Sequence, residues 1–103
     1  MWVYLRMTDN QFIEILPNGR DEPAPDREAN AINHFCLQVD SMIETEKALD
    51  ALGIVMTTTP QVGLDGNWQC WIEDPDGNRI EFMQIMSGCM QEVAIRRMQE
   101  TGK

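Results

Sequence analysis

Three side chains able to bind a divalent metal ion lie on three separate strand-like stretches of the chain. Glu81 interrupts the apolar run 79–85, and Glu14 interrupts the run 11–16. His34, the only histidine, opens a third such run. A carboxylate among apolar neighbours is costly to bury unless it is paired or bound to a metal. One imidazole and two carboxylates suit divalent Zn, Ni, Co, Mn or Fe and leave positions open for water or substrate, so the trio predicts a metal site of the catalytic kind.

Each of these side chains also has an ordinary structural interpretation. His34 could be an imidazole at a strand end that is hydrogen-bonded to the backbone. Glu81 could be a buried acid with satisfied hydrogen bonds, or an exposed residue of an edge strand that pairs with Arg79, and Glu14 has the same alternatives. The residues alone leave these interpretations open.

The element expected to position Glu14 is a β-hairpin. Residues 2–7 and 11–16 are rich in β-branched, aromatic and aliphatic side chains, and the turn formers 8–10 join them. Alternation makes both faces of the second arm largely apolar, so we expect both faces to be covered and Glu14 to point into a partly enclosed space.

Residues 17–31 contain three of the five prolines and almost no large apolar side chain. Their length is unusual for a loop within one tight unit, which favours a linker between two structural modules. The charged residues from Asp21 to Glu28 are interpreted as a solvated part of that linker.

A helix is predicted over residues 42–52. Ser41 and Glu44 fit a capping box, in which each side chain satisfies a free backbone N–H of the other residue. Gly53 can take the left-handed conformation that ends the helix.

Three strands are predicted after this helix, so that the order with the His34 strand is βαβββ. The first covers residues 54–59 and is broken by Pro60, the second covers 67–73, and the third is the Glu81 strand. The turn 74–78, with the sequence Asp-Pro-Asp-Gly-Asn, joins the last two as an antiparallel hairpin. Residues 89–100 are predicted to form a short C-terminal helix.

The composition bounds the class of protein. With 103 residues the chain is one small domain that buries roughly two thirds of the surface its unfolded chain exposes. Eight basic and seventeen acidic residues make nucleic acid and anionic lipid unlikely partners. No apolar run is long enough to cross a membrane and the N-terminus lacks the features of a secretory signal, so we expect a cytoplasmic protein with three reduced cysteines.

The His34 strand, the helix ending at Gly53 and the string from Trp71 to Phe82 together resemble the second module of the vicinal oxygen chelate superfamily, which includes glyoxalase I and the bleomycin-resistance proteins. The resemblance covers residues 32–86, and residues 2–16 resemble the last hairpin of a first module. It implies an α+β fold with a mixed, cupped sheet, in which a βαβββ module is preceded by a β-hairpin. We therefore divide the single domain 1–103 into a hairpin remnant (1–16), a linker (17–31), the βαβββ module (32–86) and a C-terminal helix (87–103).

The resemblance also implies that metal ligands come from the first and last strand of each module. His34 and Glu81 hold these positions in the βαβββ module, and Glu14 holds the last-strand position of the first. The opening strand, helix and second strand of a first module have no counterpart in the sequence. Either the start is truncated or a second chain completes the cup, and we predict a homodimer because an unpaired module exposes its edge strands and cavity.

If His34 and Glu81 face the cup, alternation places Cys36, Gln38 and Met83 there as well. Residues 35, 37 and 39 are then expected to pack under the helix. Either Trp68 or Trp71 lines the cavity, but not both, and the sequence does not decide between them.

Three hypotheses for function follow. The first is a glyoxalase-like metal-dependent enzyme that binds two vicinal oxygens of a small substrate and stabilises an enediolate, with Glu81 as ligand and base. The second is a non-catalytic small-molecule-binding module of the bleomycin-resistance type, which the acidic surface slightly favours because it suits a cationic ligand. The third is an incomplete domain with a vestigial site.

Overall fold

The structure, a computed structural model, describes residues 3–102 and contains six strands and two helices in that range. The elements are β1 (Val3–Arg6), β2 (Phe12–Ile15), β3 (His34–Gln38), α1 (Met42–Ala51), β4 (Thr58–Val62), β5 (Trp68–Glu73), β6 (Arg79–Gln84) and α2 (Met90–Glu100). The predicted α+β class and the βαβββ order of β3 to β6 are confirmed. Trp2, which belongs to the predicted first arm of the hairpin, lies outside the described residues.

The four strands of the βαβββ unit form one mixed sheet in the order β3-β6-β5-β4. β3 pairs with β6 in parallel, whereas β6 with β5 and β5 with β4 are antiparallel. In this register Glu81 on β6 lies between Cys36 of β3 on one side and Trp71 of β5 on the other. The first and last strands of the unit therefore lie side by side.

The hydrophobic core lies between α1 and one face of this sheet. Its buried members are Met42, Leu49, Cys70 and Ile72, and Val39, Trp68, Ile80 and Phe82 are among the side chains that pack around them. Because neighbours along a strand point to opposite faces, Trp71 and Glu81 must lie on the face away from α1. Of the two tryptophans, Trp71 is the one on the site face.

The prediction for residues 35, 37 and 39 was only partly right. Val39 packs against the core, but Phe35 remains 37% exposed and Leu37 is half-buried outside the core cluster. The helix packs mainly on β5 and β6, so Phe35 and Leu37 of β3 lie outside the core cluster.

Helix α1 begins and ends as its sequence indicates. The Ser41 hydroxyl accepts a hydrogen bond from the Glu44 amide at 3.2 Å. The reciprocal half of the capping box does not form, because Glu44 pairs with Lys47 at 3.5 Å instead. At the other end Gly53 has a φ of 72°, and the Ile54 amide bonds to the Leu49 carbonyl at 2.9 Å, which completes a Schellman motif.

The predicted strand over residues 54–59 was wrong in its position. The observed strand β4 begins at Thr58 and continues through Pro60 to Val62. Proline lacks a backbone donor, but β4 is an edge strand and its register shifts between Thr58 and Gln61. An edge with a local irregularity tolerates a proline that a central strand would not.

The first two strands form a separate antiparallel sheet, as the hairpin prediction expected. The expectation that both faces of β2 are covered was wrong for the chain as described. Phe12 is 55% exposed and Ile15 is 48% exposed. The hairpin adds no strand to the larger sheet, and Phe12 and Ile13 share only an open cavity with residues 35–37 of β3.

Polar side chains just before β5 hold the C-terminal helix, and Asp65 accepts a hydrogen bond from Gln91 Nε2 at 3.3 Å. Asn67 is fully buried, and its amide donates to Gln91 of α2 at 2.7 Å while its side-chain oxygen accepts from the Met86 amide at 3.1 Å. None of the helices within residues 3–102 has the length and apolar character needed to cross a membrane.

The turn between β5 and β6 is organised by Asp74. Its carboxylate accepts hydrogen bonds from the Asp76 amide at 3.0 Å and from the Asn78 amide and side chain, each at 2.8 Å. Partial loss of hydration acts to raise the pKa of Asp74, but the bonds from Asn78 and Asp76 outweigh it and lower the pKa. The ionised carboxylate thus stabilises the turn that places Glu81.

We predict that Asp74→Ala lowers the free energy of unfolding by about 1–2 kcal/mol at pH 7, because three turn hydrogen bonds lose their acceptor. A group with a lowered folded pKa contributes stability above its unfolded pKa of about 3.9 and loses it as the pH falls through the folded value. The difference between wild type and variant in urea unfolding should therefore shrink below about pH 4. Asp76→Ala, in the same turn, is the control and should change stability by less than about 0.5 kcal/mol; equal effects of the two variants would contradict this role of Asp74.

Candidate metal and substrate site

The structure brings two of the three predicted ligands together. The Nε2 atom of His34 lies 3.2 Å from Oε1 of Glu81. The His34 side chain is 31% exposed and the Glu81 side chain 11% exposed. The pair therefore lies in a shallow hollow of the sheet, with the carboxylate at its floor.

The strand pairing explains why these two side chains meet. His34 is two residues before Cys36, so both point to the same face of β3, and Cys36 is the register partner of Glu81. Trp71 on β5 flanks the pair from the other side, with its ring centroid 4.5 Å from that of His34 in an edge-on arrangement. The indole covers the imidazole and limits the positions it can adopt.

The second nitrogen of the imidazole is also occupied. His34 Nδ1 lies 2.8 Å from Oδ1 of Asn33. The amide nitrogen of Asn33 in turn donates to the backbone carbonyl of Arg27 at 2.8 Å. The ring is therefore held at both nitrogens, by an amide on one side and a carboxylate on the other.

Cys36 lies opposite the same carboxylate in the strand register. Protein atoms around Cys36 remove part of its hydration, and the nearby charge of Glu81 adds to this effect, so that the pKa of Cys36 is raised to about 11. The thiol is thus protonated at neutral pH. It lies on the face where alternation had placed it.

A cavity of about 440 Å³ opens beside the pair. Trp71 forms part of its wall, and its ring also meets that of His34. Its other lining residues are polar or charged: Arg27, Asn33, Thr57, Thr58, Gln69, Glu73 and Arg79. A cavity of this size suits a small molecule.

Glu14 does not join His34 and Glu81 within the chain. It lies on β2 in the separate hairpin, exposed, and accepts a hydrogen bond from the Tyr4 hydroxyl at 3.4 Å. Over residues 3–102, no group of three or more histidine, cysteine, aspartate or glutamate side chains is arranged to hold a metal ion.

The two donors that do meet fit a divalent ion in kind and in spacing. Zn–N and Zn–O bonds of about 2.0–2.2 Å place neighbouring ligand atoms roughly 3 Å apart, close to the observed Nε2–Oε1 distance of 3.2 Å. Two protein ligands are one fewer than the three that catalytic zinc sites use. A divalent ion at this position requires a further ligand from outside the pair.

Two residues of the site, Asn33 and Arg27, were not predicted from the sequence, and a third, Trp71, was left as one of two alternatives. The role of Asn33 could have been inferred from the sequence, because it directly precedes the only histidine and an amide can bond to a ring nitrogen. Trp71 could be assigned to the site only from the register of β5, which shows on which face of the sheet it lies. Arg27 gave no signal, since it lies in a segment that composition marks as a solvated linker.

Comparison of the sequence with known families matches residues 2–82 to the family described as the Glyoxalase/Bleomycin resistance protein/Dioxygenase superfamily. No curated protein matches the sequence.

Solved structures with a similar fold belong to the same group. A lactoylglutathione lyase from Agrobacterium tumefaciens aligns with a TM-score of 0.55 at 22% identity, over 81% of this chain and 67% of its own. A glyoxylase/bleomycin resistance protein/dioxygenase domain from Frankia sp. EAN1pec aligns with a TM-score of 0.55 at 19% identity, over 89% of this chain and 79% of its own. At these identities the likeness shows the fold alone.

A third structure, a superfamily member from Sphaerobacter thermophilus, is 27% identical with a TM-score of 0.46 over 50% of this chain. The chain spans 41% of the length of that protein.

The pairing of Cys36 with Glu81 on neighbouring strands gives a test of the site geometry. With a pKa of about 11, roughly one Cys36 in a thousand is ionised at pH 8. Glu81→Gln removes the negative charge beside the thiol, so the pKa falls, the thiolate fraction rises, and alkylation by iodoacetamide should become several-fold faster.

Peptide mapping by mass spectrometry assigns the reaction to Cys36, since Cys70 and Cys89 are buried. Glu46→Gln on α1 is the matched carboxylate control and should leave the rate unchanged. An unchanged rate in Glu81→Gln would mean that the charge of the carboxylate does not act on the thiol.

Proposed function

The chain belongs to the Glyoxalase/Bleomycin resistance protein/Dioxygenase superfamily, and from that premise we propose that it is a cytoplasmic, glyoxalase-like metal-dependent enzyme. It would bind a small substrate through two vicinal oxygens and isomerise it by way of an enediolate, as in a reaction of the lactoylglutathione-lyase type. The observation that supports this proposal above all is the 3.2 Å approach of His34 Nε2 and Glu81 Oε1 on neighbouring strands. A buried carboxylate that meets an imidazole beside a cavity is typical of a functional site.

His34 and Glu81 would hold the divalent ion, which is Zn, Ni, Co, Mn or Fe. When bound, the ion acts as a Lewis acid for the negative charge that develops on the substrate oxygens. Isomerisation also requires a proton to move between adjacent carbons, which needs a base within hydrogen-bond reach. Glu81 is suited to this role because its carboxylate lies at the floor of the hollow and is shielded from bulk water.

The cavity indicates how a substrate would be oriented. Arg27 and Arg79 bring two guanidinium groups to its wall against the single carboxylate of Glu73. Guanidinium groups suit carboxylate and phosphate groups, so this local charge favours a substrate that carries an anionic group. The net charge of −9 had favoured a cationic ligand, but the side chains around the cavity have the opposite balance.

The remaining ligand would come from a second copy of the chain. β3 pairs only with β6 in the described sheet, so its other edge is unpaired, and the hairpin that carries Glu14 exposes most of its large apolar side chains. Exposed edges and apolar surface of this kind are usually covered by a partner. In the homodimer we propose, Glu14 of one protomer joins His34 and Glu81 of the other.

The second candidate function is a non-catalytic small-molecule-binding module. It is favoured by the fact that residues 3–102 place only two donors together while the cavity is already formed. Such a module would need neither a metal nor a base.

We predict that the purified protein binds one divalent ion per chain, measured by elemental mass spectrometry, and isomerises a methylglyoxal–thiol adduct. His34→Ala and Glu81→Gln should each abolish metal binding, because each removes one of two converging donors. Glu46→Gln, on the opposite side of the sheet, should bind metal as the wild type does.

A chelator should remove the activity and added metal should restore it. Activity that survives complete removal of the metal would refute the enzymatic proposal. A metal-free protein that still binds a small anion tightly in calorimetry would establish the binding module instead.

The shared site predicts a specific complementation. His34→Ala and Glu14→Gln homodimers should each lack metal, whereas a heterodimer of the two variants contains one intact site, because His34 and Glu81 come from one chain and Glu14 from the other. Co-expression with two affinity tags gives the heterodimer, and we expect half the metal content of the wild type.

Sedimentation of the wild type should show a dimer. A stable monomer, or a Glu14→Gln homodimer with full metal content, would rule out the role of Glu14 in the partner's site.

A further inference from the structure

Asn33 is the residue that contacts His34 on the side away from Glu81. Its side-chain oxygen lies 2.8 Å from Nδ1 of the ring, and its amide nitrogen donates to the Arg27 carbonyl at 2.8 Å. Its backbone carbonyl accepts a hydrogen bond from Nε of Arg79 at 3.0 Å. Asn33 is therefore fixed at three atoms, although it lies on the surface.

These contacts settle which way the amide points. The carbonyl oxygen of Arg27 can only accept a hydrogen bond, so the group of Asn33 that faces it must be the NH₂ donor. The side-chain oxygen of Asn33 then faces the ring, and it too can only accept. The hydrogen in the short contact with the imidazole must therefore be on Nδ1 of His34.

A hydrogen on Nδ1 has a consequence for the other nitrogen. Nε2 faces Oε1 of Glu81 at 3.2 Å, and a carboxylate oxygen is an acceptor. With Nδ1 occupied, Nε2 and the carboxylate can approach each other only with a hydrogen or a metal ion between them. A metal ion that takes this place binds at Nε2, because Nδ1 already carries its hydrogen.

We propose that Asn33 is a positioning residue that keeps a hydrogen on Nδ1 of His34 and so reserves Nε2 for the metal ion. The inference rests on the proposed function for the identity of the ion, but the state of the ring can be measured without any metal.

Arg79 helps to fix the position of Asn33. Besides its bond to the Asn33 carbonyl, its guanidinium lies 3.4 Å from the Pro25 carbonyl through both terminal nitrogens. Two parts of the segment before β3 are thereby held to the start of β6. The amide of Asn33 meets the ring in a defined orientation because its backbone is anchored.

A purely structural role for Asn33 is the competing explanation. In that case the bond to Arg27 matters because it orders the loop, and the contact with His34 is incidental. Asn33→Asp separates the two roles, since a carboxylate still accepts from Nδ1 but cannot donate to Arg27. Asn33→Ala loses both contacts, and Asn30→Ala, in the same loop, is the matched control.

The experiment is long-range ¹H–¹⁵N correlation NMR of the imidazole at pH 7. The chain has a single histidine, so one set of ring signals reports on His34 without assignment by mutation. In metal-free wild type and in Asn30→Ala we expect a hydrogen on Nδ1 whose exchange with water is slowed. It should remain in Asn33→Asp and exchange rapidly or disappear in Asn33→Ala.

The same variants are then titrated with Zn²⁺ and Co²⁺. Asn33→Ala should bind about 10- to 100-fold more weakly than the wild type, whereas Asn33→Asp should retain the affinity. Equal losses in the two variants would show that loop order is what matters and would overturn the inference.

A wild-type ring that carries hydrogen on Nε2 alone, or ring signals in Asn33→Ala identical to those of the wild type, would also overturn it. If the Nδ1 hydrogen depends on Asn33 but no metal binds to the wild type, the proposed enzymatic function fails while the role of Asn33 toward the ring stands.

Discussion

The parallel pairing of β3 with β6 is the constraint on which the rest of the site depends. It joins strands that are separated by a helix and two further strands, and it places Cys36 opposite Glu81. Only in this register do an imidazole and a carboxylate that are 47 residues apart approach to 3.2 Å. A shift of one residue would turn His34 to the opposite face of the sheet, away from Glu81.

The chain holds this register by contacts on the α1 side of the sheet. On the α1 side Ile80 and Phe82 pack against the core, so the residue between them, Glu81, is directed to the opposite face. A slip would bury its carboxylate among apolar atoms at a cost of several kcal/mol. The Gln84 side chain accepts from the Met42 amide at 2.7 Å, which ties the end of β6 to the start of α1.

Local signals in the sequence were sufficient for most of the βαβββ unit. Ser41 and Gly53 marked the ends of α1, and the turn around Asp74 located the last hairpin, because in each case a few adjacent residues fix the backbone. Strand parity was not accessible in this way: Trp68 and Trp71 are equally apolar, and only the pairing with β6 assigns one to the core and the other to the site. The effect of Pro60 also could not be predicted from local sequence. A strand can continue through a proline where it lies at the edge of a sheet, as β4 does.

The β1–β2 hairpin is the part of the chain whose stability depends on contacts beyond those it makes in one chain. A two-stranded sheet is marginally stable by itself, and Phe12 and Leu16 leave more than half of their surface in water. The same hairpin carries Glu14, the only predicted ligand that the chain does not deliver to its own site. If a second copy covers the hairpin, dimerisation has two effects at once. It buries the apolar surface that stabilises the dimer, and it brings the ligand that completes the site. Metal binding and dimerisation must then strengthen each other, since a ligand that binds only the assembled form stabilises that form.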